Sequence, residues 1–288
     1  MTLIAILVCV IVQKVVDIGG WLNLNSQWLV VYLKKMQPVL RKFNSWLALL
    51  IAVAPFLLGL AILHFLSLRH LYGLLHLLLM ILVLFCCLDV REIGHKLTDY
   101  FDALEKSKTE KALDAADEFV GHVLGGKKSK SNARAVTRAI LIHSFEWIFA
   151  PLFWFLIFNI YGVALYYLVV NFRKKALLAD PAYADLAKTA AKMQDILDWI
   201  PMRVVAISYS LAGHFMSGFA YCYKKLISFS GDIDVFVVNT GIAALGYDYK
   251  DTKDGGTKEN QATLSLVNRT LLIWIIGLVL FSLGKMLA

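Results

Sequence analysis

Four long runs without charge constrain this chain more than any motif does. Residues 46–66, 71–88 and 271–283 hold no Asp, Glu, Lys or Arg, and residues 139–170 hold only Glu146. A bilayer core takes about 20 apolar residues of helix, and soluble helices of that length seldom lack a charged face. The runs predict an all-α polytopic integral membrane protein with three to four spans, plus amphipathic interfacial or re-entrant helices. The lipid bilayer is its expected partner.

A net charge of +8 would suit nucleic acid, but the bases gather at the edges of the runs. Lys34, Lys35, Arg41 and Lys42 precede the first run; Lys127, Lys128, Lys130, Arg134 and Arg138 precede the third; Arg173, Lys174 and Lys175 follow it. That placement fits anionic headgroups and cytoplasmic retention of short loops. No nucleic-acid-binding motif accompanies it, so nucleic acid is excluded as a partner. Cys86 and Cys87 are adjacent while Cys9 and Cys222 stand alone, which gives neither a disulfide framework nor a metal knuckle. Reduced, buried thiols are expected.

The chain divides into six stretches. Residues 1–44 form an N-terminal segment; its first 16 residues resemble a signal peptide but lack a basic start and a cleavage site, so a retained interfacial or re-entrant helix is expected. Residues 45–89 predict a transmembrane hairpin closed by a tight turn at Ser67-Leu68-Arg69-His70, with Pro55 and Gly59 tolerated mid-span. Residues 90–138 are solvated. Their apolar positions recur at helical spacing on either side of Lys106–Glu110, which predicts two amphipathic helices ended by Gly125-Gly126 and followed by a basic strip. Residues 139–172 form a membrane segment whose apolar run, residues 139–170, would reach about 48 Å as one helix against a core of about 30 Å. Two readings stay open there: a bend near Pro151, or re-entry on one side. Residues 173–267 predict amphipathic helices, with Pro201 opening one of them, and a solvated loop at 248–259. Residues 268–288 predict the last transmembrane helix.

Glu146 is the leading candidate for chemistry. A carboxylate in an apolar run contacts a ligand or ion, pairs with a cation such as Arg138, or sits at the interface. His143, one turn earlier, could share a metal with it, but two ligands at one spacing are too weak a signal for a metal site. Asp195 and Asp198 are spaced to share one helix face, and Arg203 follows Pro201. Such a set could hold a phosphate-bearing or cationic group, or tie a bend together by ion pairing. His214 is a possible proton donor and equally a structural histidine. Residues 121–128 approach a phosphate-binding loop but lack the final Ser or Thr and follow a helical pattern, so no nucleotide cofactor is assigned to them.

Three stretches together resemble a known family: Phe-Glu-Trp-Ile-Phe-Ala-Pro-Leu-Phe-Trp at 145–154, Asp-Ile-Leu-Asp-Trp-Ile-Pro-Met-Arg at 195–203, and Leu-Ala-Gly-His at 211–214. With the Met-Thr-Leu opening they look like the AmpE family, bacterial inner-membrane proteins linked to β-lactamase induction. That family lies within a superfamily shared with adenosylcobinamide-phosphate synthase of the cobalamin pathway. The resemblance implies an inner-membrane accessory protein without a cofactor, acting in β-lactamase induction and peptidoglycan recycling by binding an envelope metabolite or a partner membrane protein.

It also implies site positions. Asn171 matches the Asn that opens a polar stretch in the synthase branch, where this chain continues Phe172-Arg173-Lys174-Lys175 and loses the acid and hydroxyls. The synthase's paired acids correspond here to Gln194-Asp195, and its Asn to Asp198. An ATP-dependent amide-forming enzyme would need acidic residues to hold magnesium. That enzyme is the alternative reading, with Mg and ATP as cofactors in that case only. A small-solute transporter, possible if the chain forms a homo-oligomer, is the third. In the leading reading Glu146, Asn171, Asp195, Asp198, Arg203 and His214 gather around one pocket.

Overall fold

The computed structural model describes residues 2–15, 27–69, 73–88, 97–98, 100–103, 109–124, 133–179, 183–225, 233–246 and 256–287. The regular elements among these residues are helices. They form two units, residues 1–88 with 150–199 and residues 89–149 with 200–288. The glycine pair 125–126, the basic strip at 127–130 and the loop residues 248–255 lie outside the described residues.

The first unit contains α1 (Thr2–Val15), α2 (Gln27–Leu40), α3 (Ser45–Arg69), α4 (Leu74–Cys87), α7 (Ala150–Ala179) and the first half of α8 (Ala184–Ala212). Its core joins Leu29 and Leu33 of α2 to Ala52 of α3, Phe172 of α7 and Leu186 of α8. Small residues Ala48 and Ala52 let α3 approach closely, and hydroxyls close gaps that apolar packing leaves. Tyr183 donates to the Leu33 carbonyl at 2.7 Å, and Tyr32 to that of Ala52 at 3.1 Å. Gln13 of α1 donates to the Leu88 carbonyl at 2.9 Å, satisfying an acceptor past the end of α4. The opposite side of α3 exposes Leu47, Leu50, Leu58, Ile62 and Phe65, as a lipid-facing helix must.

The hairpin expected at 45–89 consists of α3 and α4. Ser67, Leu68 and Arg69 of the expected turn remain helical and His70 lies outside the described residues, while Gly73, at φ 83°, precedes α4 in the left-handed region that glycine occupies without strain. At 14 residues α4 is about 21 Å long and short of a full crossing. Among the described residues the helices long and apolar enough to cross a membrane are Ser45–Ser67, Arg134–Ala176 and Lys258–Leu280.

The third of the sequence's apolar runs is not straight. A π-helical turn at Phe145–Phe149 ends just before Pro151. Proline cannot bond the carbonyl four residues back and its ring collides with it, so a widened turn there relieves the clash without a break. The bend expected at Pro151 occurs instead at Asn159, whose backbone sits at φ 56°, ψ −143° within α7. The chain doubles back there: a Cβ on Gly162 would lie 2.4 Å from the Trp154 carbonyl oxygen. Eight residues of straight helix would hold those two positions about 12 Å apart. Asn159 accepts the Ile160 N–H on its own Oδ1 at 2.9 Å, supplying part of what the interrupted helix lost. The backbone thus reverses within α7, eight residues after Pro151.

The second unit contains α5 (Thr109–Leu124), α6 (Ala133–Ser144), the π turn, the second half of α8, α9 (Phe215–Lys225), α10 (Ile233–Leu245) and α11 (Gly256–Leu287). Pro201 does not open a new helix, since α8 continues through it to Ala212. Residues 256–259 of the expected loop belong to α11, which runs on to Leu287 as 32 residues or about 48 Å of continuous helix. Thr137 of α6 donates to Asn260 Oδ1 at 2.8 Å, and Asn260 donates to Tyr100 Oη at 3.0 Å. Further along α11, Trp274 Nε1 donates to Ser208 Oγ at 2.9 Å. A second reversal joins α8 to α9. There the His214 N–H donates to the Ala244 carbonyl of α10 at 2.6 Å, and a Cβ on Gly213 would lie 2.2 Å from that oxygen.

Candidate functional site

The expected pocket residues divide between the two units. Asn171, Asp195 and Asp198 belong to the first; Glu146, Arg203 and His214 belong to the second.

In the first unit the buried acid is Asp198, 1% exposed. Tyr166 of α7 donates to Oδ1 at 2.7 Å, and Gln194, one turn earlier on α8, donates to Oδ2 at 2.9 Å. A buried carboxylate must be hydrogen-bonded to persist, and here each oxygen has a donor. Asp195 is exposed, so the two acids straddle the edge of the buried face and do not share one environment. Asn171 is buried and donates to the carbonyl of Tyr167 in its own helix at 2.9 Å. Tyr166 was not legible as a site residue, because it sits in an apolar run beside Tyr167 with nothing to set it apart. Gln194 carried a usable signal in its four-residue spacing from Asp198.

In the second unit Glu146 is 4% exposed and lies within the π turn, with Phe145, Ile148 and Phe149 buried around it. π turns inside α-helices recur at functional sites because they re-aim side chains. His143 is buried one turn before, its ring 6.2 Å from that of Trp147 and 6.1 Å from that of Phe119. Phe149 packs between Tyr209, at 5.8 Å, and Trp274, at 5.4 Å. Tyr209 is wholly buried, and its hydroxyl has no hydrogen-bond partner among the described residues. Burial pushes its phenol far up, so it stays protonated.

Arg203 is half-buried. Burial pulls its guanidinium down from the usual value, and the Cys222 thiol partly opposes this. The same burial pushes Cys222 up, with Arg203 opposing. Arg203 thus has a neighbour on α9 that the sequence did not suggest. His214 is exposed in the turn between α8 and α9, with its ring against Gly246. Its position there is that of a turn residue. The Leu-Ala-Gly-His motif therefore has a structural account, since Gly213 admits the Ala244 carbonyl and His214 supplies the N–H that binds it. Among the described residues no three His, Cys, Asp or Glu side chains are grouped as a metal site.

Helices suited to crossing a bilayer, two of them carrying buried polar side chains in place of a charged face, define a polytopic helical membrane protein. The motifs at 145–154, 195–203 and 211–214 lie at the π turn, in α8 and at the reversal that follows it. This chain belongs to the AmpE family, described as regulatory signalling modulator protein AmpE, whose model matches residues 1–287. It is also similar to the cobalamin biosynthesis protein CobD of Chromobacterium violaceum, 27% identical over 135 residues, covering 46% of this chain and 43% of that protein. The CobD of Stutzerimonas stutzeri is 28% identical over 133 residues, covering 46% and 44%. That of Brucella anthropi is 25% identical over 178 residues, covering 60% and 52%. The matches thus span about half the length of these relatives, and they agree with the superfamily relation expected from the motifs. No solved structure matches the chain.

Proposed function

We propose that this protein is an inner-membrane accessory regulator that affects β-lactamase induction and peptidoglycan recycling by binding an envelope metabolite or a partner membrane protein. The observation that carries this reading is the state of Asp198. Its two oxygens are engaged by Tyr166 and Gln194 in the interior of the first unit, where a magnesium-nucleotide enzyme would need its carboxylates turned to the metal. Gln194 itself occupies a position where the synthase branch has an acid. Membership of a family of regulatory signalling modulators supports the same reading. Deleting the gene in the host cell is expected to change β-lactamase activity several-fold after β-lactam exposure, and the wild-type chain should restore it. Unchanged induction in the deletion strain would remove the regulatory role.

The likeness to cobalamin biosynthesis proteins favours one alternative, an ATP-dependent amide-forming membrane enzyme of the same superfamily. Asp195, exposed on α8, is then the acid best placed to meet magnesium. ATP- and magnesium-dependent amide formation by the purified protein, abolished in a folded Asp195→Ala variant, would establish that reading in place of the first.

A further inference from the structure

The α3–α4 hairpin carries two imidazoles in stretches that otherwise hold no charge. Residues 45–68 contain no Asp, Glu, Lys or Arg, and neither does α4. His64 of α3, His76 of α4 and Tyr161, on the second arm of α7, nevertheless meet. His64 Nδ1 lies 2.7 Å from Tyr161 Oη, and the two rings meet edge-on with centroids 5.5 Å apart. The rings of His64 and His76 stack, with centroids 4.8 Å apart and planes 23° from parallel. His76 Nδ1 is enclosed and has no hydrogen-bond partner among the described residues. His64 lies five residues, about 8 Å, before the end of α3.

Tyr161 faces the two imidazoles from α7, whose nearest charged side chain in sequence is Arg173, twelve residues on. On α3 the nearest is Arg69; α4 offers only the thiols Cys86 and Cys87.

Ionisable groups in apolar membrane segments are expensive and mark pathways or switches. Here the two rings are not equivalent. A phenol both donates and accepts, so the His64–Tyr161 bond survives a change of charge: neutral His64 accepts from the phenol, and protonated His64 donates to it. His76 has no such partner, and a proton on its enclosed nitrogen would be a buried donor with nothing to bind. One imidazolium over a neutral aromatic face is attracted to it, whereas two stacked imidazolium rings repel strongly where water is scarce.

We propose that His64, His76 and Tyr161 form a binding site for a single proton in the membrane hairpin, with His64 the ring that receives it. Imidazoles change charge between about pH 5 and 8, so acidification there places one positive charge among α3, α4 and the second arm of α7. The stacked partner both stabilises that charge and refuses a second.

The test uses the full chain, labelled with nitrogen-15 histidine, in nanodiscs of zwitterionic phospholipid. Ring-nitrogen shifts are followed from pH 8 to pH 5, with signals assigned by loss in His64→Asn and His76→Asn. The expected result is one protonation at the pair, on His64, with His76 neutral throughout. In Tyr161→Phe the proton affinity of His64 should fall severalfold, because the bond to the phenol is stronger when charge-assisted than when neutral. In His76→Phe, which keeps a ring face, uptake of one proton should remain. Two protonations of equal extent at the pair, first uptake on His76, or an unchanged His64 in Tyr161→Phe would each overturn the proposal.

Discussion

Each unit reverses its chain between helical arms, and the two reversals are built differently. In the first unit the turn is Asn159, a residue with a side chain held at φ 56°, and it supplies its own acceptor to the next N–H. In the second the turn is Gly213-His214, whose N–H is satisfied by Ala244 on another helix. The first turn is local: strain is accepted where an apolar run offers no outside partner, and Asn tolerates that backbone better than any β-branched neighbour would. The second is tertiary and exists only once α10 has docked. Both rely on a glycine pressed against a backbone carbonyl, which no rotamer change can move aside.

The largest expected effects probe that shared feature. Gly162→Val and Gly213→Val should each destabilise the protein by about 3 kcal/mol, since the added carbon meets backbone oxygen in both. Loss of melting temperature in detergent checks this. Gly213→Val should also release the His214 N–H to hydrogen exchange, whereas Gly162→Val should leave it protected. Equal exchange in the two variants would erase the distinction between a local and a tertiary turn. Smaller and opposite in sign is Asn159→Gly, expected to gain about 1 kcal/mol by relieving the positive φ, less what the lost Oδ1 acceptor contributed. A clear loss of stability would mean that the self-made cap outweighs the strain. The smallest effect separates two buried phenols. Tyr183→Phe should cost about 1 kcal/mol because it removes a donor bond to Leu33, while Tyr209→Phe should be neutral or slightly stabilising.

Much of this architecture was legible in the runs themselves. Lipid imposes a one-sided composition on any helix it touches, so the span in α3 and the apolar half of α11 could be placed before any coordinates. The reversal at Asn159 was not legible. Proline is the conventional kink signal, so a bend near Pro151 was one of the two readings left open, yet a π turn absorbs that proline while Asn159 and Gly162, three residues apart, do the turning. The polar pair in an apolar run was the available signal. Asp198 was legible as a site residue from its chemistry, but its Tyr166 partner depends on a contact between helices that periodicity does not encode. The two stacked histidines were invisible for the same reason: twelve residues and a turn separate them along the chain.

The long final helix is held at two places fourteen residues apart, at Asn260 by Thr137 and Tyr100 and at Trp274 by Ser208. Over that interval of about 21 Å it can neither roll nor slide at one clamp without twisting at the other. It therefore works as a torsion bar within its unit. Between the aromatic clamp beside Phe149 and the polar clamp the chain is continuous helix, with no loop to take up a rotation.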